Sequence, residues 1–465
     1  MLDSSGLRQI RLFFADMLGA CKCVVIPASD LSKALEGRVT FDGASIDGFA
    51  RDQEVDMVLK PDPATFALLP HAEGAAPEGR LICEIAMPEG EPFEGCSRTT
   101  LRRVLGEAQE TLPNLRTRIE VEFYLFVMPG EDDTPVTHDA ASYFDVSFSD
   151  RGESVRTEIV AALEEMGIAV AAAHHEHAPG QHEIDLAEDS VLAAADALFT
   201  LRMIAKQVAA RHGMLATFMP KPLENSAGSG LHFYFRWGPE PAREERLPAP
   251  ATESAPPDPE ADDPAYALDE QRDLDAQALQ AILRDRREEP NERLYAVGGL
   301  LAHALACTAI CNPLVNSYKR FVTAWDAPVY TVWSHRSANA LVRVPSDPAA
   351  STLEVRSPDP SCNPYLALAV LIASMVDGFR RKRLPGAPFT GNTYTLTNDE
   401  RIELGIRQLP KSLRQALLEL ERDVVVRNAL GDHIYRAFSD AKRREYEAYR
   451  RAVHPWERKT YLRRT

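Results

Sequence analysis

Hydrophobic and polar residues alternate over the first hundred positions in the pattern typical of short β-strands. Two apolar runs, 11–15 and 22–26, flank the turn-forming residues 16–19, which predicts a β-hairpin. A further strand is predicted over 81–85, whereas 32–35 has room for only one helical turn. These elements indicate a small, sheet-based N-terminal domain that ends near residue 100.

The periodicity then changes to that of helices. Apolar residues recur every three or four positions over 99–112, which predicts a helix, and segments 153–167 and 189–212 are predicted to be amphipathic helices. Residues 118–126 alternate strictly and predict a strand between them. The chain is predicted to be helical from residue 413 onward, where an apolar stripe contains Leu413, Leu417, Leu420 and Val424.

Composition narrows the class of protein. The 465 residues are 45% hydrophobic and 26% charged, as in a folded protein of two or three domains. The net charge of −17 disfavours nucleic acid and anionic membranes as partners. We find no stretch close to the roughly 20 apolar residues of a membrane span, and no signal peptide. The seven scattered cysteines favour free thiols in the cytoplasm.

One segment has a composition unlike the rest of the chain. Residues 239–264 contain eight prolines together with many acidic residues and alanines. Such a segment cannot bury enough apolar surface to order itself, so we predict a surface insertion over 239–270.

Two acidic residues stand two positions apart in the predicted strand 118–126. Glu120 and Glu122 therefore project from the same face. Neighbouring carboxylates repel and raise each other's pKa unless a cation lies between them. Taken alone, the pair is more often part of a solvated sheet face than a metal site.

The segment 174–183 packs four histidines and two glutamates, Glu176 and Glu183, into ten residues. Pro179 and Gly180 predict a turn between two strands. The segment does not match the HExxH spacing of zinc proteases. This density of metal-binding residue types predicts a functional site.

Two further segments contain candidate ligands. A Gly-Ser-Gly turn that starts at Gly228 precedes His232, but it lacks the Lys-Ser ending of a P-loop. Glu354 and Arg356 are predicted to share one face of a short strand, for which a simple ion pair is the plain interpretation.

Together these segments offer five carboxylates and one imidazole, a donor set that suits Mg²⁺ or Mn²⁺ better than zinc. Two such ions can neutralise a phosphoryl group during its transfer. The candidate ligands are Glu120, Glu122, Glu176, Glu183, His232 and Glu354.

The sequence closely resembles the glutamine synthetase family, of the bacterial class I type. The longest shared motif is His-His-Glu-His-Ala-Pro-Gly-Gln-His-Glu-Ile-Asp at 174–185. The other motifs follow in the family's order, at 41–46, 119–126, 216–222, 316–320, 354–359 and 363–365. The insertion at 239–264 lies outside the pattern.

The resemblance implies an α/β (α+β) protein. Its parts would be a β-grasp domain over 1–100 and a catalytic domain over 101–465, the latter with a curved antiparallel sheet flanked by helices. It further implies a dodecamer of two hexameric rings with active sites between subunits. The implied reaction joins glutamate and ammonia at the expense of ATP, through γ-glutamyl phosphate.

The resemblance also assigns roles to residues. One metal would be held by Glu122, Glu176 and Glu183, and the second by Glu120, His232 and Glu354. Positions that contact glutamate or phosphate are matched by Gly228, Arg320 and Arg356. The ammonium site is matched by Asp42, Ser45 and Asp326. The nucleotide is assigned to Arg343, Arg336 and Tyr234. Tyr394 lies in a loop like one that some members adenylylate, although an exposed loop tyrosine is the simpler interpretation.

Some positions depart from the family pattern. Asp326 replaces the usual glutamate, and Ala227 and Ala338 stand where Asn and Arg are usual. Two alternatives to the glutamine-forming reaction therefore stay open. One is a γ-glutamyl ligase for another amine, and the other is a catalytically impaired relative with a binding or regulatory role.

Overall fold

The fold was analysed in a computed structural model. The structure describes residues 6–46, 56–70, 76–128, 130, 134–146, 151–238, 292–322, 327–345 and 352–464. The predicted insertion 239–270 and Asp326 lie outside these residues, as do the side chains of Ser45 and Tyr394.

The N-terminal part forms a five-stranded sheet with one short helix, which confirms the predicted β-grasp arrangement. The strands are β1 Gln9–Ala15, β2 Cys21–Pro27, β3 Val39–Asp42, β4 Asp56–Leu68 and β5 Glu78–Ala86, and the helix is α1 Leu31–Leu35. Their order is β2-β1-β5-β4-β3, with β1 parallel to β5 and the other pairs antiparallel. The predicted hairpin is confirmed as the pair β1 and β2.

A second sheet of nine strands carries the acidic residues. Its strands are β6 Arg116–Val127, β7 Val136–Thr137, β8 Val170–His175, β9 Gln181–Ser190, β10 Met214–Thr217, β11 Leu231–Arg236, β12 Trp333–Ser334, β13 Val342–Arg343 and β14 Thr352–Val355. The order is β12-β13-β14-β11-β6-β9-β8, and β7 and β10 both pair with β6. Strands β12 and β13 run parallel, so the predicted antiparallel sheet is in fact mixed.

Helices cover this sheet and fill the C-terminal part. They are α2 Ser97–Ala108, α3 Arg151–Glu165, α4 Val191–Arg211, α5 Glu292–Cys311, α6 Pro364–Arg380, α7 Asn398–Glu403, α8 Leu413–Arg422, α9 Val424–Leu430, α10 Asp432–Arg451 and α11 Pro455–Tyr461. The predicted helices at 153–167 and 189–212 are confirmed within two residues. The helix predicted over 99–112 begins two residues earlier and ends at Ala108.

The predicted apolar stripe of the C-terminal region was wrong at its last member. Leu413, Leu417 and Leu420 are buried on α8, whereas Val424 is exposed and starts α9. The reason is Asp423, whose extended backbone ends α8 and whose carboxylate accepts hydrogen bonds from the backbone N–H groups of the next helix.

The long apolar helix α5 lies inside the protein. Its window Arg293–Cys311 has a mean hydropathy of 1.8 and is long enough to cross a membrane, so our statement that no stretch approaches this length was wrong. However, 83% of the window is buried against the rest of the chain. Close packing on α6 explains this burial, since a Cβ at Gly299 would lie 2.0 Å from the carbonyl oxygen of Ser374.

A buried arginine joins the N-terminal sheet to helix α4. Arg98 on α2 donates to Asp62 (2.8 Å) and Glu84 (3.1 Å) of the N-terminal sheet. It also forms a bidentate pair with Asp196 on α4 (3.0 and 2.8 Å). The guanidinium side chain is only 3% exposed, so the position of the N-terminal sheet relative to α4 depends on a desolvated charge network.

Candidate active site

The register of β6 brings the acidic residues together. Glu120 lies opposite His232 of β11 on one side and opposite Asp185 of β9 on the other. Glu122, two residues further along β6, lies opposite Glu183 of β9. Because side chains two apart share a face, all five project from the same face of the sheet.

The first group of candidate ligands is formed by Glu120, His232 and Glu354, the last from β14. The Nδ1 atom of His232 lies 3.2 Å from a carboxylate oxygen of Glu120 and 3.7 Å from one of Glu354. One ligand atom from each side chain lies within 4.8 Å of the other two. The structure thus brings together one of the two triplets that the resemblance assigned to a metal.

Cationic and hydroxyl donors keep this group ionised. Burial would raise the pKa of Glu120, but hydrogen bonds from His232 and Tyr234 and the charge of Arg118 outweigh it and lower the pKa to about 2. Burial of Glu354 is likewise outweighed by the charges of Arg356, His232 and Arg343, which lower its pKa. Both carboxylates are therefore available as anionic ligands at neutral pH.

The second group surrounds the turn between β8 and β9. His174 lies opposite Glu183, and its Nε2 is 3.2 Å from the Glu183 carboxylate. Glu176 follows β8 directly, and its backbone N–H donates to the carbonyl of Gln181 (2.8 Å). One ligand atom from each of His174, Glu176 and Glu183 lies within 4.8 Å of the others. This group contains two members of the other assigned triplet, and adds His174.

The carboxylates of this second group repel one another. Burial, followed by the nearby charge of Glu176, raises the pKa of Glu122. Burial and then the charge of Glu122 raise the pKa of Glu183. A divalent cation between these groups would remove the repulsion and restore the ionised form. The oxygen-rich donor set therefore fits a hard divalent cation.

A glycine turn lines the site beside Glu122. The backbone N–H of Gly230 donates to Glu122 (2.9 Å), and the Gln181 side-chain amide donates both to Glu122 (2.9 Å) and to the carbonyl of Gly228 (3.2 Å). A Cβ at Gly230 would lie 2.8 Å from the Glu122 carboxylate and 3.2 Å from the Arg320 guanidinium. Glycine is needed here because the backbone passes so close to these charges.

Several positive charges border the carboxylates. Arg320 is buried and donates to the carbonyls of Ser357 (2.9 Å), Pro358 (3.1 Å) and Arg356 (3.2 Å). Arg356 contacts Glu354 and donates from Nε to the carbonyl of Ala338 (2.8 Å). The structure therefore places both arginines next to the acidic face.

Two of the three residues assigned to the nucleotide lie at the first ligand group. The Tyr234 hydroxyl donates to Glu120 (2.8 Å), and Arg343 contacts Glu354, so both lie at the first ligand group. Arg336 is exposed in the loop after β12. Arg118, which sequence reasoning did not single out, stacks 4.0 Å from the centroid of the Tyr234 ring and donates to Glu120 (2.7 Å).

The ammonium-site residues lie on other parts of the chain. Asp42 ends β3, an edge strand of the N-terminal sheet, where its carboxylate accepts a hydrogen bond from the Ala44 N–H (2.8 Å). It thus lies on a different sheet from the six candidate metal ligands. Ser45 is placed by its backbone alone, and Asp326 lies outside the described residues.

Sequence reasoning missed a buried network on the opposite face of β9. Asp139 accepts from the Gly180 N–H (2.9 Å) and lies 3.2 Å from His175 Nε2 and 3.0 Å from His138 Nδ1. His182 in turn contacts His138 (3.3 Å) and Arg156 (2.7 Å).

The contacts within this network shift the pKa values of Asp139 and His182. Burial of Asp139 is outweighed by hydrogen bonds from His138 and His175, which lower its pKa. Burial and the charge of Arg156 lower the pKa of His182. The network supports the turn that carries Glu176. The histidine-rich segment signalled two of its members, whereas nothing in the sequence pointed to His138, Asp139 or Arg156.

Comparisons with known proteins agree with this architecture. The family models "Glutamine synthetase, beta-Grasp domain" and "Glutamine synthetase, catalytic domain" match residues 6–88, and residues 94–235 and 279–461. A glutamine synthetase of Thermus thermophilus is 41% identical over 99% of this chain and 97% of its own length. One of Halobacterium salinarum is 40% identical over 99% and 95%.

Solved structures show the same fold. A complex of GmaS with ADP has a TM-score of 0.79 at 27% identity, covering 99% of this chain and 98% of that one. A glutamine synthetase of Plasmodium falciparum has a TM-score of 0.77 at 22% identity, covering 98% and 96%, and supports the fold alone. With both family models matched and relatives near 40% identity over almost the full length, this chain belongs to the glutamine synthetase family.

Proposed function

We propose that the protein is a glutamate–ammonia ligase that forms glutamine with the hydrolysis of ATP. The observation that carries this proposal is the convergence of the candidate ligands from four strands and one turn onto one face of the second sheet. The relatives named glutamine synthetase support the same reaction.

The ligand groups suit two divalent cations. Glu120, His232 and Glu354 would hold one, and Glu122, Glu176 and Glu183 the other, with Mg²⁺ or Mn²⁺ as the ions. When bound, such ions neutralise the charge of a phosphoryl group in transfer.

The protein's own charges would position the substrates around this centre. Arg320 and Arg356, together with Gly228 and the carboxylate of Glu122, border the place proposed for glutamate and the transferred phosphate. Arg343, Arg336 and Tyr234 are proposed to contact ATP, for which the GmaS complex with ADP is a precedent among structural relatives.

The reaction is proposed in two steps. The γ-carboxylate of glutamate attacks the γ-phosphorus of ATP, giving γ-glutamyl phosphate and ADP. Ammonia then displaces phosphate and glutamine forms. Asp42 and Asp326, with Ser45 beside them, would attract ammonium and accept its proton, since ammonium must lose one to become a nucleophile.

The placement of Asp42 supports an assembled protein. The resemblance implies that a neighbouring subunit lends the loop of Asp42 to the ammonium site, and the position of Asp42 on a different sheet from the candidate ligands agrees with this proposal. A cytoplasmic dodecamer of two hexameric rings would provide such neighbours.

The test is a phosphate-release assay with Mg²⁺ or Mn²⁺, ATP, glutamate and ammonium. Glu120→Gln should lose activity by about a hundredfold or more, whereas Glu164→Gln on the exposed face of α3 should match the wild type. Absence of glutamate-dependent phosphate release from assembled wild-type protein would contradict the proposal. A screen of primary amines in the same assay distinguishes the glutamate–ammonia ligase from the alternative γ-glutamyl ligase. The alternative enzyme would prefer one of these amines to ammonium.

A further inference from the structure

A buried arginine in the N-terminal sheet has no counter-charge bonded to it. Arg80 on β5 is 4% exposed. Its Nε has no hydrogen-bond partner, and no ion pair or hydrogen bond joins its side chain to another residue within the described part of the chain. A buried charge without a bonded partner destabilises the folded state, so such a group calls for an explanation.

Asp196 is the acidic residue whose charge acts most strongly on Arg80, but its carboxylate oxygens already accept hydrogen bonds from other residues. Asp196 raises the pKa of Arg80 by its charge, although burial outweighs this and lowers it. Both oxygens of Asp196 are taken, however, by the bidentate Arg98 and by the Tyr365 hydroxyl (2.7 Å). An arginine stays protonated at neutral pH, so the positive charge of Arg80 persists.

The side chain of Arg80 points into the layer between the N-terminal sheet and α4. It shares its face of β5 with Ile82, which packs in the core of the second sheet, and with Glu84, which binds Arg98. In this layer lies a cavity of about 250 Å³ that Arg80 lines. Its apolar walls include Phe66, Met166 and Ile168, and the first turns of α4 form another side.

The acidic residues of the cavity are engaged elsewhere. Glu188 is held by Arg236 (2.9 Å) and Arg116 (3.2 Å). Asp189 accepts from the Ser190 N–H (2.6 Å) and lies 3.8 Å from Arg116. Among the described lining residues, Arg80 is the one cation, and no hydrogen bond or ion pair within the described part of the chain uses its guanidinium.

We propose that this cavity is a binding site for a small organic monoanion, a carboxylate with a short apolar body, whose carboxylate pairs with the Arg80 guanidinium. The Arg80 guanidinium has no acceptor bonded to it within the described residues, and its fork of N–H donors suits a carboxylate. The apolar walls favour a hydrocarbon body over a hydrated inorganic anion. Arg80 lies on the N-terminal sheet and is not one of the candidate metal ligands, so this site goes beyond the ligase reaction.

Calorimetric titration of the full-length, assembled protein with sodium butyrate tests this proposal, at constant ionic strength with chloride. The wild type should bind butyrate and rise in Tm, because a ligand that binds only the folded state stabilises it. Arg80→Met should weaken butyrate binding by about tenfold to a hundredfold, the loss of one charge-assisted pair. Arg80→Lys should retain part of the affinity.

The matched control is Arg38→Met, which removes one positive charge from an exposed position of the same sheet and should bind butyrate as the wild type does. Arg80→Met without butyrate should be at least as stable as the wild type, since it removes an unpaired buried cation. A marked fall in Tm of this variant, together with no butyrate binding to the wild type, would show that Arg80 has a protein partner and overturn the proposal.

Two further results would also overturn it. Equal butyrate affinity of wild type and Arg80→Met places the ligand elsewhere, and inorganic phosphate binding as tightly as butyrate removes the role of the apolar walls. None of these outcomes bears on the ligase proposal, because the phosphate-release assay does not depend on butyrate.

Discussion

Glu122 lies directly opposite Glu183 across the antiparallel pair of β6 and β9, so two carboxylates stand side by side on one face of the sheet. Like charges in this position destabilise a strand pair. Together with burial, the repulsion raises the pKa of both groups. The arrangement is stable as a fully ionised pair when a cation lies between the two strands.

Neutralising Glu183 should affect the stability of the metal-free protein and the binding of metal in opposite directions. Glu183→Gln should leave the metal-free protein at least as stable as the wild type, because it removes a repelling carboxyl group. It should remove the stabilisation by Mn²⁺ that comes from the site of Glu122, Glu176 and Glu183, about 2.7 kcal/mol when the ion is at a hundred times its Kd for that site, while the site of Glu120, His232 and Glu354 keeps its own share. Differential scanning calorimetry with and without Mn²⁺ measures both, and Glu164→Gln serves as the exposed control. An unchanged Mn²⁺ response would remove Glu183 from the ligand set.

The glycine beside Glu122 should not tolerate a side chain. A Cβ at Gly230 would lie 2.8 Å from the Glu122 carboxylate and 3.0 Å from the His232 ring. Gly230→Ala should displace these groups and lower kcat/KM by about a hundredfold. Gly106→Ala on α2 is the matched control, since its Cβ meets open space, and it should be neutral or stabilising by up to about 1 kcal/mol. Full activity of Gly230→Ala would contradict the described geometry.

Asp139 is expected to influence metal binding indirectly, by holding the turn that carries Glu176. It bonds the Gly180 N–H and lies within 3.2 Å of the His175 ring, on the turn that carries Glu176. Asp139→Asn should weaken Mn²⁺ binding by about tenfold to a hundredfold with the fold intact. Asp145→Asn, in an exposed turn, provides the comparison. The result to look for is a shift in the Mn²⁺ titration midpoint of the activity, and its absence would count against this role.

In the charge network around Arg98, losing a buried ion pair should cost more unfolding free energy than losing an exposed one. Arg98→Ala leaves Asp196 buried without its main partner and should cost about 3–5 kcal/mol of unfolding free energy. Arg102→Ala breaks pairs with two of the same acids, Asp62 and Glu84, but its side chain is half exposed, so about 0.2–1 kcal/mol is expected. Urea unfolding of the two variants measures the difference. Equal losses would mean that burial does not decide the strength of this network.

A buried histidine should make stability depend on pH. His303 lies between Asp423 (2.7 Å) and Asp377 (3.1 Å). Burial would lower its pKa, but the hydrogen bonds that the ring donates to the two carboxylates outweigh it and raise the pKa above the usual value. Because the folded pKa is the higher one, the stabilisation is fully present below the unfolded pKa of about 6.5 and is lost as the pH rises through the folded value.

Urea unfolding between about pH 6 and pH 9 checks this prediction. The wild type should lose free energy of unfolding across this range, and His303→Gln should lose less. His212→Gln, at a more exposed pair with Glu158, should keep the slope of the wild type. An identical slope in His303→Gln would contradict the prediction.

Residue types and spacing were enough to predict the local elements and the chemical character of the site. The alternation over β6 placed Glu120 and Glu122 on one face, because side-chain direction in a strand repeats every two residues. The hairpin of β1 and β2 and the helices α3 and α4 followed from periodicity and turn residues. The whole motif pattern carried the family resemblance, which implied the β-grasp domain.

Tertiary structure decided what depends on contacts between distant segments. Only the strand register sets Glu122 against Glu183, and only folding reveals that β12 and β13 run parallel. His138 and Asp139 belong to the network only because folding brings them against His182 and His175, and local sequence patterns do not predict these contacts. For Arg80, residue type predicts a charged surface position. Its side chain is buried because residues of two sheets and a helix pack around it. These residues are far apart in the chain, so the sequence alone does not predict this burial.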